Sequence, residues 1–343
     1  MDKKLFGVFA TTLATTAAAL MLSGFGSGAA AQGSDWKWER KVTFISPWGP
    51  GGGSGPTIRN IAPLVQEVIK VPCEVQHVEG AAGANGAVAA DRQPADGYTY
   101  LMATQSQVLL DLQQILPFDF HDRFIPIAKL VHSTNGLMAS AKSMKGRYTD
   151  IKSFAAYVKA NPRKVSVAML TATGTDAASL NQLLSLLLDV PMGKIGEYVK
   201  LVNYGGGSEI DAALVGGHVD VAIAGPGDEA GLIESGDVVP LVVLAEKRLA
   251  SFPDIPSTGE MGLPAYIGTW RGIWAKKGTP QAAIDAMEKA LKEAWNKKPY
   301  QDYWVAEGYS ERVGFEGQAD FKKLVDGEYK IMGDYLKAIG VVK

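Results

Sequence analysis

The sequence predicts an α/β fold in two lobes with a cleft between them. Three observations carry this. Strands and helices alternate along most of the chain. Four times a strand runs into a loop of glycines and small hydroxyl residues that opens a helix. The last third holds too few strands for a sheet of its own, so it must return to the first unit.

The elements follow in order. Val42-Thr-Phe-Ile-Ser46 reads as a strand, Pro47 through Gly55 as a glycine-rich loop, and 57–69 as a helix with Ile58, Ile61, Ala62, Leu64, Val65 and Val68 on its apolar side. A second strand at 73–78 leads through Glu79-Gly-Ala-Ala-Gly-Ala-Asn-Gly86 into an alanine-rich helix, and a third spans 98–103. This βα order predicts a largely parallel sheet. Residues 125–137 read as a strand or strand pair leaving the unit. A second unit follows. Its strand 165–170 runs into Thr171-Ala-Thr-Gly-Thr-Asp176, and 200–203 runs into Tyr204-Gly-Gly-Gly-Ser208. Strands at 219–224 and 238–245 complete it. The chain then returns through a strand at 270–276, a helix at 280–296 with Thr279 as its expected cap, and a closing helix over 319–339. The expected division is residues 36–137 with 246–343 as lobe 1 and 138–245 as lobe 2.

Lys3-Lys4, the apolar stretch 5–22 and Ala29-Ala30-Ala31 read as a secretory signal over 1–31. Of 343 residues, 34 are basic and 36 acidic, a formal net charge of −2 that gives no support for nucleic-acid or anionic-membrane binding. The lone Cys73 excludes an internal disulfide. The four histidines, His77, His121, His132 and His218, form no metal-binding spacing, and there is no G-x-S-x-G elbow. Gly49–Gly55 lacks the Gly-Lys-Ser/Thr ending of a phosphate loop. No cofactor, metal or catalytic set is expected. The loops instead present backbone N–H groups at helix starts, which together hold an anion without a lysine or arginine.

These loops resemble the substrate-binding proteins of tripartite tricarboxylate transporters, also known as the Bordetella uptake gene proteins. The likeness runs from about Lys41 to about Lys337. It rests on Pro47 through Ser54 with Arg59, on Gly80-Ala-Ala-Gly-Ala-Asn-Gly86, and on Gln93-Pro-Ala-Asp-Gly-Tyr-Thr99. Further along it rests on Phe124-Ile-Pro-Ile-Ala128, Leu214-Val-Gly-Gly-His-Val-Asp220, Phe252-Pro-Asp-Ile-Pro256 and Gly278-Thr-Pro280. The resemblance implies a two-lobed, periplasmic-binding-protein-like (type II) fold in the periplasm. It implies a receptor that closes on a small organic carboxylate and delivers it to a two-component membrane permease. A tricarboxylate, a dicarboxylate and an aromatic acid all remain open, as do a sensing role and an exported enzyme. A monomer is expected.

The residues expected at the ligand are Gly51, Gly52, Gly53 and Ser54 of the first loop and Ala82, Gly83, Ala84 and Asn85 of the second. Thr173, Thr175 and Asp176 stand in the third, where Thr175 or Asp176 serves equally as a helix cap. Tyr204 and Gly205 stand in the fourth. Trp48 either stacks on a flat ligand or covers the hinge. Gln105 is placed to reach the cleft, and Arg271 either binds a second carboxylate or makes an ion pair between the lobes. Two departures from the family pattern bear on the ligand. Gly55 replaces an aspartate and Gly205 a long side chain, and both changes are expected to open space.

Overall fold

The computed structural model describes residues 36–50, 54–204 and 207–342. The expected secretory signal and Gly51, Gly52, Gly53 and Gly205 lie outside the described residues. From Ser34 onward the chain forms one compact unit. It contains two five-stranded sheets.

The first sheet is built from β1 (Val42–Ser46), β2 (Cys73–His77), β3 (Thr99–Ala103), β4 (Phe124–Ser133) and β10 (Thr269–Lys276). The second takes β5 (Gly136–Ser140), β6 (Val165–Met169), β7 (Val199–Asn203), β8 (Val221–Ala224) and β9 (Val238–Val243). The strand orders are β2-β1-β3-β10-β4 and β7-β6-β8-β5-β9. In each, three strands are parallel, as the βα order dictates. The last strand of each runs the same way, and only the one between, β10 or β5, is antiparallel to both neighbours, so the first sheet is largely parallel as expected, with one reversed strand. The reason is the chain's route. The fourth place in each sheet is filled by the strand that arrives from the other lobe, β5 in one and β10 in the other. The two sheets thus share one plan, which no repeat in the sequence announces. By pairing, the chain changes sheets between Ser133 and Gly136, within the segment read as a strand pair.

Among the described residues the helices of eight residues or more are α1 (Ser54–Ile69), α2 (Ala84–Asp91), α3 (Gln105–Leu112), α4 (Ile151–Ala160), α5 (Thr175–Leu188), α6 (Gly207–Gly216), α7 (Gln281–Trp295), α8 (Lys298–Ala306) and α9 (Gln318–Ala338). Strand alternation splits the first sheet between two cores. Val42 and Phe44 face Ile58, Ile61 and Met287 of α1 and α7, and Cys73 and Val75 pack on this side. Ile45 faces the other side with Trp270, Trp274 and Phe321, and that cluster runs on to Leu183 and Val242 under the second sheet. Burial pushes the Cys73 thiol up to about 12, which leaves it unreactive. Thr279 is not the cap of α7. Pro280 holds that position, and the Thr279 hydroxyl is buried without a partner among the described residues.

Candidate functional site

The first two loops stand at the carboxyl ends of β1 and β2, packed against each other. The Trp48 carbonyl accepts from Ser46 Oγ at 2.9 Å and lies 2.7 Å from His77 Nδ1, so β2 helps turn the chain that leaves β1. Arg59 of α1 donates to the Pro50 carbonyl at 2.5 Å. A Cβ at Gly55 would collide with Pro50 O and come within 2.8 Å of Gly49 O. The space freed by the missing side chain is therefore filled by the loop's own backbone and does not enlarge a pocket. A Cβ at Gly86 would sit 2.5 Å from that of Pro47, so the second loop needs glycine there to reach the first. Ser54 is the first residue of α1.

The second loop has the more demanding backbone. Gly80, Ala81, Ala82 and Gly83 all have positive φ, at 114°, 49°, 53° and 96°. Each alanine in this region carries strain of about 1–2 kcal/mol. Strain of this kind persists where surrounding contacts hold it. Here Asn85 Nδ2 donates to Glu79 O at 3.0 Å, and Gln107 Nε2 donates to Gly83 O at 3.3 Å while its Oε1 accepts from Thr104 N. The indole of Trp48 lies against Gly83, so Trp48 covers this junction. Among the described residues no side chain caps α2 behind Gly83, and its first two N–H groups, of Ala84 and Asn85, donate back to the carbonyls of Ala81 and Gly80. Ala82 is exposed at the turn, whereas Gly83 and Ala84 are buried beneath it. The Ala82→Gly protein is expected to be about 0.5–1 kcal/mol more stable, because glycine relieves the left-handed strain but adds chain entropy. A thermal midpoint that falls in this variant would show that the alanine is unstrained.

On the second sheet, α5 begins at Thr175 with Gly174 as its cap and no side-chain acceptor. Neither Thr175 nor Asp176 is the cap. Asp176 instead closes the third loop by accepting from Leu170 N at 2.7 Å. Burial outweighs these backbone donors and holds its carboxyl above the ordinary range. Thr173 N donates to Thr171 Oγ1 at 3.0 Å, and Tyr335 of α9 donates to Ala172 O at 2.7 Å, tying this loop to the closing helix. Tyr204 extends the β6–β7 pairing through its N–H to Met169 O, and its ring is half-buried against the cluster of Ala168, Ile210 and Leu214.

Gln105 does not offer itself to the cleft. It is fully buried, donates to Gly268 O at 2.6 Å and accepts from Trp270 N at 3.0 Å, so both ends of its amide brace β10. Arg271 is buried and makes no ion pair within 4.0 Å among the described residues.

Residues 58–341 match the family described as "Tripartite tricarboxylate transporter family receptor". The chain belongs to that family. The receptor is 28% identical over 273 residues to protein BugT of Bordetella pertussis, covering 78% of this chain and 80% of BugT. Its fold resembles MatC from Rhodopseudomonas palustris with bound malate, at 24% identity and TM-score 0.72 over 87% of this chain and 99% of MatC. It also resembles R. palustris Rpa4515 with adipate, at 21% identity and TM-score 0.75 over 88% of this chain and 98% of that one. The receptor is therefore a periplasmic, non-catalytic solute-binding protein that takes a small carboxylate and works with a membrane permease. Among the described residues no group of three or more His, Cys, Asp or Glu is placed to hold a metal.

The receptor also has features that sequence reasoning missed. A cavity where the two sheets meet is lined by Ser133, Thr134, Asp228, Glu307 and Tyr309 among others. A Cβ at Gly227 would collide with Glu307 O across this junction. Beside it Glu229, buried, shares a hydrogen bond with Asp211 of α6. Burial first, and then the Asp211 charge, hold the Glu229 carboxyl at about 8 against an ordinary 4.5. The native state thus keeps a proton that the unfolded chain releases. This contribution is complete below about pH 4.5, declines as pH rises, and is gone above about 8. Glu229→Gln is expected to flatten that decline. Urea midpoints at pH 5.5 and 8.5 that shift in parallel in the two proteins would sink the assignment.

Proposed function

We propose that the receptor grips one carboxylate group of its solute between the first and second loops and meets the rest of the solute with the third and fourth. The left-handed run Gly80–Gly83 carries this reading. A strained backbone held by Asn85 and Gln107, opening a helix with no side-chain cap, puts a positive helix end where an anion can approach. In this reading Trp48, Ser54, Gly83 and Asn85 surround the bound head, and Thr173 and Tyr204 approach from the other lobe. The lobes are those expected from the sequence, with the first boundary moved from 137/138 to 134/135 because β5 pairs in the second sheet, and they close on the solute as a monomer and present it to a two-component permease. Small aliphatic diacids are the favoured class, since MatC is described with malate and Rpa4515 with adipate.

The test is thermal unfolding of the purified receptor with citrate, C4 and C6 dicarboxylates, aromatic acids and acidic amino acids. Binding to the native state alone raises the midpoint. A shift with one class, lost when Gly83 is replaced by valine, is the expected result. No shift with any acid would overturn the reading.

A further inference from the structure

Among the described residues, Arg271 is a buried charge with no counter-charge within 4.0 Å. It lies on β10 with 5% of its surface exposed. Its Nη1 donates to the neutral Tyr309 hydroxyl at 3.3 Å, its guanidinium sits 5.6 Å from the centre of that ring, and its Nε is buried without a partner among the described residues. A guanidinium is a two-pronged donor whose best partner is a carboxylate, and leaving it buried and unpaired is costly. Asp228 and Glu307 are near enough to be felt but form no ion pair with it.

Its position links it to the first loop. Thr57, in the first turn of α1, is 2.9 Å from the Tyr303 hydroxyl, and the Tyr303 ring packs edge-on against Tyr309. The helix start behind the first loop and the guanidinium thus lie on one face of the first sheet, joined through two tyrosines. Tyr309 also lines the cavity where the lobes meet.

We propose that Arg271 is a specificity-determining residue that pairs with a second carboxylate of the solute, so that the receptor selects two-headed acids over one-headed ones. This rests on the carboxylate-receptor reading above. The competing arrangement is an ion pair between Arg271 and Asp228 across the junction.

The experiment is calorimetric titration of the receptor with succinate, malate and adipate and with their monoamides, in which one carboxylate becomes a neutral amide. The wild type is expected to prefer a diacid to its monoamide. Arg271→Gln is expected to lose roughly 30-fold or more in affinity for that diacid and less than about 3-fold for the monoamide. Its unfolding midpoint without solute should not fall, because an unpaired buried charge has been removed. Asp228→Asn should tighten diacid binding, since a competing charge is gone. If Arg271→Gln does not fold, Arg271→Lys decides, with the charge kept, the fork lost and an intermediate loss confined to the diacid. Three results overturn the inference: equal affinity of the wild type for diacid and monoamide, equal losses for both ligands in the Arg271 variants, or weakened diacid binding in Asp228→Asn. Failure of the wild type to bind any of these acids would remove the preference for aliphatic diacids proposed above and this inference together.

Discussion

Replacing Arg312 with methionine is expected to cost the receptor about 3–4 kcal/mol, the largest single-site loss anticipated outside the apolar core. Arg312 donates from Nε to Thr134 Oγ1 at 3.0 Å and from Nη2 to Leu244 O at 2.6 Å and Tyr266 O at 3.0 Å, and its Nη1 lies 3.4 Å from His132 Nε2. Thr134 lies between β4 and β5. Leu244 follows β9, and Tyr266 precedes β10. One guanidinium therefore ties together both passages of the chain between the sheets. Methionine fills similar volume but leaves those acceptors in a buried place without their donor. Burial lowers the pKa of Arg312, while Glu246 and Glu328 act at a distance to support its charge. Arg312→Lys should recover less than half the loss, because an ammonium is a point donor and cannot fork to two carbonyls and a hydroxyl. Urea unfolding at unchanged slope is the measurement. A loss below 1 kcal/mol in the methionine variant would mean that the crossings hold themselves.

Gly227→Ala should act on binding more than on folding. The Gly227 backbone of the second lobe rests directly on Glu307 of the first, and a Cβ would also come within 3.0 Å of the Glu307 carbonyl carbon. Each lobe has room to fold as before, and the added methyl then works as a wedge between them. If the contacts of both lobes are needed for full affinity, the solute must supply the energy to overcome the wedge. A 10- to 100-fold rise in Kd is expected, about 1.4–2.8 kcal/mol. The radius of gyration of the solute-bound variant should exceed that of the wild type. Unchanged affinity would show that this junction does not tighten when the solute binds.

The sequence displays what short-range chemistry decides. The strand–loop–helix units around Pro47–Gly55 and Glu79–Gly86 are legible because glycine is needed there locally, for positive φ at Gly80 and Gly83 and for the approach of Pro47 at Gly86. What depends on distant partners is not legible. That β10 runs antiparallel between β3 and β4 is set by the chain's arrival from the other lobe. Gln105, a polar residue just after a strand, resembles a cleft residue until Gly268 and Trp270 are seen to claim its amide. Arg312 carries no local signal at all, since its partners lie 46 to 180 positions away.

The place of β10 inside the first sheet bears on how the protein comes to exist. A ribosome delivers the amino end first, yet until Thr269–Lys276 has been made β3 keeps one open edge and β4 has no strand partner in the sheet. The second sheet, by contrast, is drawn entirely from Gly136–Val243 and can assemble before the first is complete. The half of the molecule made first is thus finished last, and a nascent chain interrupted before β10 would carry exposed strand edges that invite aggregation.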